Sequence, residues 1–223
     1  PVSVSILASL QNAVGFTGVG QIEERRFKDY GGNINSVTHI EDATAIHMTS
    51  TLDKNSPAYG DMVLMALSKD ANATASWERL EELYEDFASD GKLVAQNEAG
   101  PSPAGETVDG AIAVEAKLKP NEEHTFTFVI AWHFPNAVHG DERTGWVSRG
   151  NMYANWWANA LEVAKEVKRE IGELTRLTRL YHDSLYSSNL PYWLLDRLSS
   201  QVSVLRSKTC FWGKDGYFGG WEG

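Results

Sequence analysis

Cysteine is almost missing from this chain. Cys210 is the single one in 223 residues, so no internal disulfide can form. That scarcity favours a reducing, cytoplasmic setting slightly and otherwise leaves the compartment unknown. Basic residues are also short, with 20 Lys and Arg against 30 Asp and Glu and a formal charge of −10. Such a balance argues against nucleic acid or an anionic membrane as the main partner. The densest basic stretch, Lys165 to Arg179, alternates with Glu and reads as a solvated helix face. No run of about twenty apolar residues occurs, so no membrane span is expected. Glycine loops of the phosphate-cradling kind are absent too. The chain opens on Pro1 rather than Met; residues before it are expected, and a signal peptide is left open.

What the chain does have is enough apolar material for a core. The hydrophobic fraction is 42%, which argues against disorder, and the length suits one large domain or one and a half smaller ones. Eight Trp, eight Tyr and eight Phe are present. Cores use such residues, and sugar sites stack pyranose rings on them; composition does not separate the two uses.

Periodicity divides the chain. Val2, Val4, Ile6, Ala8 and Leu10 alternate as in a half-buried strand. Val37 to Thr49 reads as a second β stretch, and the apolar run Met62 to Leu67 suits a strand covered on both faces. Two further alternating runs, Ile112 to Leu118 and Phe126 to Phe134, flank "KPNEE" and predict an antiparallel hairpin. Trp77, Leu80, Tyr84 and Phe87 predict one helix, capped by Thr74 or Ser76. Ala88 to Gly110 reads as a loop, and Pro135 to Gly150 as a linker. Beyond it, Trp157, Ala160, Leu161, Ala164, Val167, Ile171 and Leu174 form a helical stripe. Pro191 stands where a first helical turn tolerates proline, and Leu194, Leu195, Leu198, Val202 and Leu205 follow it as another stripe. The pattern predicts a β-sandwich followed by α-helices, with residues 1–150 as one unit and 151–223 as the other.

Few residues suggest chemistry on their own. His133 and His139 are near in sequence, but no third ligand has a convincing spacing, so no metal is expected. Cys210 has no His placed to activate it and reads as an inert thiol. Asn72-Ala73-Thr74 matches a glycosylation acceptor, a triplet common by chance. The closing "GYFGGWEG" is richer. Its glycines allow unusual φ and close ligand approach. Tyr217, Phe218 and Trp221 supply walls, and Glu222 sits among them. A carboxylate so placed is a candidate nucleophile or acid/base, or else simply an exposed Glu on a tight turn.

Several segments together resemble glycoside hydrolase family 116, the non-lysosomal glucosylceramidase and β-glucosidase family. They are "FTFVIAWHFPN", similar to the family's F-x-x-AW-x-FP strand, "YANWWANALEVA", "LPYWLLDRL", the stretch with Thr209 and Trp212, and "GYFGGWEG". The resemblance implies an N-terminal β-sandwich packed on an (α/α)6 toroid, of which this chain would hold the first helices. It implies a retaining β-glucosidase or glucosylceramidase-like hydrolase with Glu222 as nucleophile; Tyr217 and Trp221, from the residues themselves as walls around that carboxylate, are the substrate-binding candidates. It further implies an acid/base Asp downstream of residue 223, no cofactor, and a fragment inactive by itself. The family's opening glycine-rich segment is absent, in keeping with truncation at both ends. The partner expected is a carbohydrate or glycoside; a membrane or lipid aglycone is compatible but not indicated. Two rivals remain at this point: another sandwich-plus-toroid enzyme (an inverting hydrolase or a phosphorylase), and a non-catalytic carbohydrate-binding sandwich.

Overall fold

Strands, with one helix among them, make up the regular structure as far as Ser148; two helices and a short hairpin follow from Ala160. A computed structural model describes residues 1–141, 145–206 and 210–220. In order these form β1 (Val2–Gln11), β2 (Asn33–Ile40), β3 (Ala43–Ser50), β4 (Asp61–Ala66), β5 (Asn72–Trp77) and α1 (Leu80–Asp90). Next come β6 (Glu98–Ala99), β7 (Asp109–Leu118), β8 (Phe128–His133), β9 (Val138–Asp141) and β10 (Gly145–Ser148). The last elements are α2 (Ala160–Tyr186), α3 (Tyr192–Ser200), β11 (Cys210–Trp212) and β12 (Phe218–Gly220). Single 3-10 turns at Met152–Asn155 and Gln201–Arg206 join some of them.

Two antiparallel sheets face each other. One has the order β1-β7-β5 and the other β6-β2-β3-β4-β8. Ile46, Met48, Leu64 and Ala66 from the larger sheet meet Ala73, Ile112 and Val114 from the smaller one, a dry layer between them. Each outer face is covered by a helix. Leu83 and Phe87 of α1, with Leu93, lie on Ala111 and Ala113 of β7. Ala160 and Ala164 of α2 are fully buried against Ala43, Ala45, Val63, Met65 and Ala131. Small residues on both sides let the helix approach the sheet closely. This layering explains why β4 reads as an unbroken apolar run: it is central in its sheet, between β3 and β8, with packing on both faces.

The helix α2 is seated by a buried carboxylate. Asp61 Oδ2 accepts a hydrogen bond from the Ala160 backbone N–H at 2.9 Å, at the first helical residue. His47 Nε2 lies 2.6 Å from the same oxygen, and His133 Nδ1 is 3.9 Å from the other. An anion there also complements the positive end of the helix dipole. Asn159 caps the helix by accepting from the Glu162 N–H at 2.9 Å, while Glu162 reaches back to the Ala158 N–H at 2.6 Å.

Four expectations are corrected. The runs 112–118 and 126–134 do not form a hairpin: β7 pairs with β1 and β5, whereas β8 pairs with β4 in the other sheet. The nine residues 119–127 carry the chain from one sheet to the other, longer than a tight turn requires. Val37 to Thr49 is two strands, not one, because Glu41 takes a left-handed φ of 55° and reverses the chain. Thr74 and Ser76 cap nothing; both lie in β5 with Trp77, and α1 starts at Leu80 with no side-chain cap. The stretch 88–110 is not one loop: it holds the end of α1, the short strand β6 and the start of β7. From Ala160 the chain is helical with one short hairpin after it.

Candidate functional site

The hairpin β11–β12 immediately precedes the segment 221–223 in the sequence. Trp212 pairs with Phe218 and Phe211 with Gly219, and the turn Gly213–Tyr217 closes it through a Gly213 N–H to Tyr217 O bond at 2.7 Å. Gly216 adopts φ +87°, which a side chain would strain. Gly219 is required for space, since a Cβ would stand 2.6 Å from the Phe211 ring. Trp221, Glu222 and Thr209 lie outside the described residues. Tyr217 is described and is 46% exposed, with Phe218 and Trp212 also open to solvent. Cys210 is half-buried in β11.

The hairpin does not stand alone. The segment after β10 docks against its turn. Lys214 N–H donates to Arg149 O at 3.1 Å and to Gly150 O at 3.2 Å, and Asn151 forms a bridge with Gly213. Asn155 Nδ2 donates to Lys214 O at 2.9 Å. The Arg149 guanidinium lies 4.1 Å from the centre of the Tyr217 ring and donates to Asp215 Oδ2 at 2.5 Å. His139 stacks on Phe211 with ring centres 4.1 Å apart, and Phe211 stacks on Tyr217 in turn. The docking segment is itself tied to the end of β8. Asn151 Nδ2 and the Tyr153 hydroxyl both donate to Phe134 O at 2.7 Å.

Aromatic rings continue on the other side. Trp156 meets Trp212 edge-on at 5.7 Å and Trp157 likewise. Both Trp156 and Trp157 line a cleft of about 750 Å³ against the β2–β3 turn, with His39, Glu41, Lys165 and Glu166 around it. Trp156 is 56% exposed. Exposed ring faces bordered by charged groups suit a ligand that is apolar on one face and hydroxylated at its edges, as a sugar is.

Charges at the hairpin are held firmly. The Tyr217 N–H, and next the Arg149 guanidinium, keep the Asp215 carboxyl below its ordinary range. Burial, with Arg149 adding to it and Asp215 opposing, lowers the His139 imidazole, which favours the neutral ring against Phe211. Among the described residues, no group of three or more His, Cys, Asp or Glu is arranged to hold a metal ion. His133 and His139 serve different neighbours: the first faces Asp61 and Tyr153, the second Phe211. Sequence reasoning finds Tyr217 but does not single out Arg149 or Asp215; it singles out His139, but as a possible metal partner of His133 rather than as a ring stacked on Phe211. The Asp215-Gly216 pair is a turn signal, but nothing local announces its partner in the linker.

Comparison with known proteins bears on the residues that precede the hairpin. A search of the curated proteins found no match. The family model described as beta-glucosidase 2, glycosyl-hydrolase family 116 N-term, matches residues 1–174, which covers both sheets, the docking segment and the first half of α2. With that match over most of the chain, the protein belongs to glycosyl-hydrolase family 116 and carries its N-terminal domain.

Proposed function

We propose that this chain is part of a retaining β-glycosidase in which Glu222 is the nucleophile. Family membership supports a β-glucosidase-family glycosidase acting on carbohydrate, and the match over residues 1–174 is the observation that carries it. The finer reading rests on the sequence "GYFGGWEG". Residues 1–150 would be the sandwich domain, and 151–223 the start of a helical toroid whose remainder supplies the acid/base.

The chemistry is a double displacement. The Glu222 carboxylate attacks the anomeric carbon as the glycosidic C–O bond breaks. The acid, an Asp outside these residues, protonates the leaving oxygen. The resulting glycosyl ester is then opened by water, which the same Asp deprotonates, and Glu222 returns as a carboxylate. Two carboxyls about 5–5.5 Å apart suit this course. Tyr217 and Trp221 would border the sugar, one offering a ring face that Arg149 already orders from one side.

A full-length enzyme treated with a 2-fluoroglucoside inactivator should carry its label on the peptide containing Glu222. Glu222→Gln should lower kcat by at least about 10⁴-fold, as loss of a nucleophile does, and azide should rescue Glu222→Gly by forming an α-glycosyl azide. Label on a different peptide would end the assignment. First product of inverted configuration, or a requirement for phosphate, would point instead to an inverting hydrolase or a phosphorylase.

A further inference from the structure

We propose that Arg149, from the segment linking the sheets to the helices, is a positioning residue for the hairpin that precedes Glu222 in the sequence. The inference rests on the proposed role of Glu222 and adds that the sandwich domain takes part in catalysis through its linker. Four contacts converge on Arg149 and its neighbours. Its guanidinium donates to Asp215 and lies over Tyr217, on the two sides of Gly216. Its carbonyl accepts from the Lys214 N–H, and Asp215 Oδ1 accepts from the Tyr217 N–H at 3.1 Å. One side chain thus fixes both flanks of a glycine whose φ of +87° leaves the turn otherwise pliable.

The backbone is cut to fit this contact from both sides. A Cβ on Gly213 would stand 2.7 Å from Asp215 Oδ1 and 3.3 Å from the Arg149 Cβ. A Cβ on Gly150 would stand 3.3 Å from the Lys214 Cβ and 3.0 Å from Pro135 O, at φ +63°. Glycine at each position lets the linker and the hairpin touch. The linker in turn is pinned to the end of β8 by Asn151 and Tyr153. A hydrogen-bonded path therefore runs from the larger sheet, through residues 149–153, to a hairpin whose last strand stops at Gly220, just before Trp221 and Glu222 in the sequence.

Its purpose is geometry rather than folding energy. The Asp215 side chain is half exposed, and ion pairs so open to water contribute little to global stability. A displaced nucleophile is costly in another way: misplacement by about 1 Å can cost on the order of 10²-fold in rate. Lys would keep the charge but lose the planar fork and most of the ring stacking.

In the full-length enzyme, Arg149→Ala should lower kcat by about 10- to 100-fold while KM stays within about threefold. Arg149→Lys should recover part of the loss. The charge swap Arg149→Asp with Asp215→Arg should be more active than either single variant, an outcome a general packing role would not give. The thermal midpoint of the swap should stay within about 4 °C of the parent. If Arg149→Ala does not fold, Arg149→Lys and the swap carry the test alone. A kcat within about twofold of the parent in Arg149→Ala, or a swap no better than its single variants, overturns the inference. Glu222→Gln separates the two readings. If it is inactive while Arg149→Ala is normal, only the positioning role fails; if it is fully active, both fail.

Discussion

Asp109 shows how one buried carboxyl governs behaviour that composition does not reveal. It lies on β7 opposite Gln11 and Trp77, and burial raises its pKa to about 6 although Arg25 and Gln11 pull it down. Its folded value therefore exceeds the unfolded one near 3.8. Between those values the folded chain keeps a proton that the unfolded chain has released, so stability falls as pH rises towards about 6. At neutral pH the loss is on the order of 2–3 kcal/mol. Asp109→Asn should be more stable than the parent at pH 7.5 and gain little at pH 4, as urea titrations at the two values would show. His139 has the opposite sign. Its lowered pKa gives stability that is full above the unfolded value near 6.5 and lost as pH falls through the lower folded value. Neither shift was legible from sequence, since burial is a property of neighbours. Asp109 follows an alternating pattern no differently from Glu115, which lies exposed on the same strand.

At the scale of elements, α2 and its seat bring the two halves of the chain together. The stripe from Trp157 to Leu174 predicts a helix from spacing alone, and a helix of 27 residues is found. What it rests on could not be read, because Asp61, His47 and His133 come from three strands whose pairing is long-range. Asp61→Ala should destabilise by about 2–4 kcal/mol, since it leaves the buried Ala160 N–H and the partly buried His47 imidazole without their partner. Ala164→Leu should cost about 1–3 kcal/mol by overpacking against the sheet. Chemical denaturation of the two variants would check both. The mistaken hairpin is instructive at this scale. Alternation in 112–118 and 126–134 identified two strands correctly, but alternation is the same whichever sheet a strand joins. Pairing is chosen by partners at the ladder, and β7 finds β1, a partner from the far end of the chain.

For the whole molecule, the helical part leaves a series of large apolar side chains in solvent. Leu174, Leu177 and Leu180 of α2, Trp193 and Leu198 of α3, and Leu205 after it are all exposed. Contiguous patches of that kind drive association. The 223-residue chain in isolation should self-associate, with weight-average mass in sedimentation rising with concentration, and Leu198→Glu with Leu205→Glu should reduce this. A monodisperse monomer at about 100 μM, tight enough to expose weak association, would contradict the expectation. The division between the two sources of knowledge is physical. Local periodicity, turn chemistry and the order of short motifs are properties of neighbours in sequence. They determined that a mainly β half precedes a mainly helical one, that 62–67 suits a strand covered on both faces and that the chain resembles a glycoside hydrolase. Which strands share a sheet, which carboxylates are dry, and that Arg149 reaches Asp215 across the fold were decided only by the tertiary structure. Those contacts join residues far apart in sequence, and the free energy that selects them comes from simultaneous burial of surfaces that no local pattern encodes.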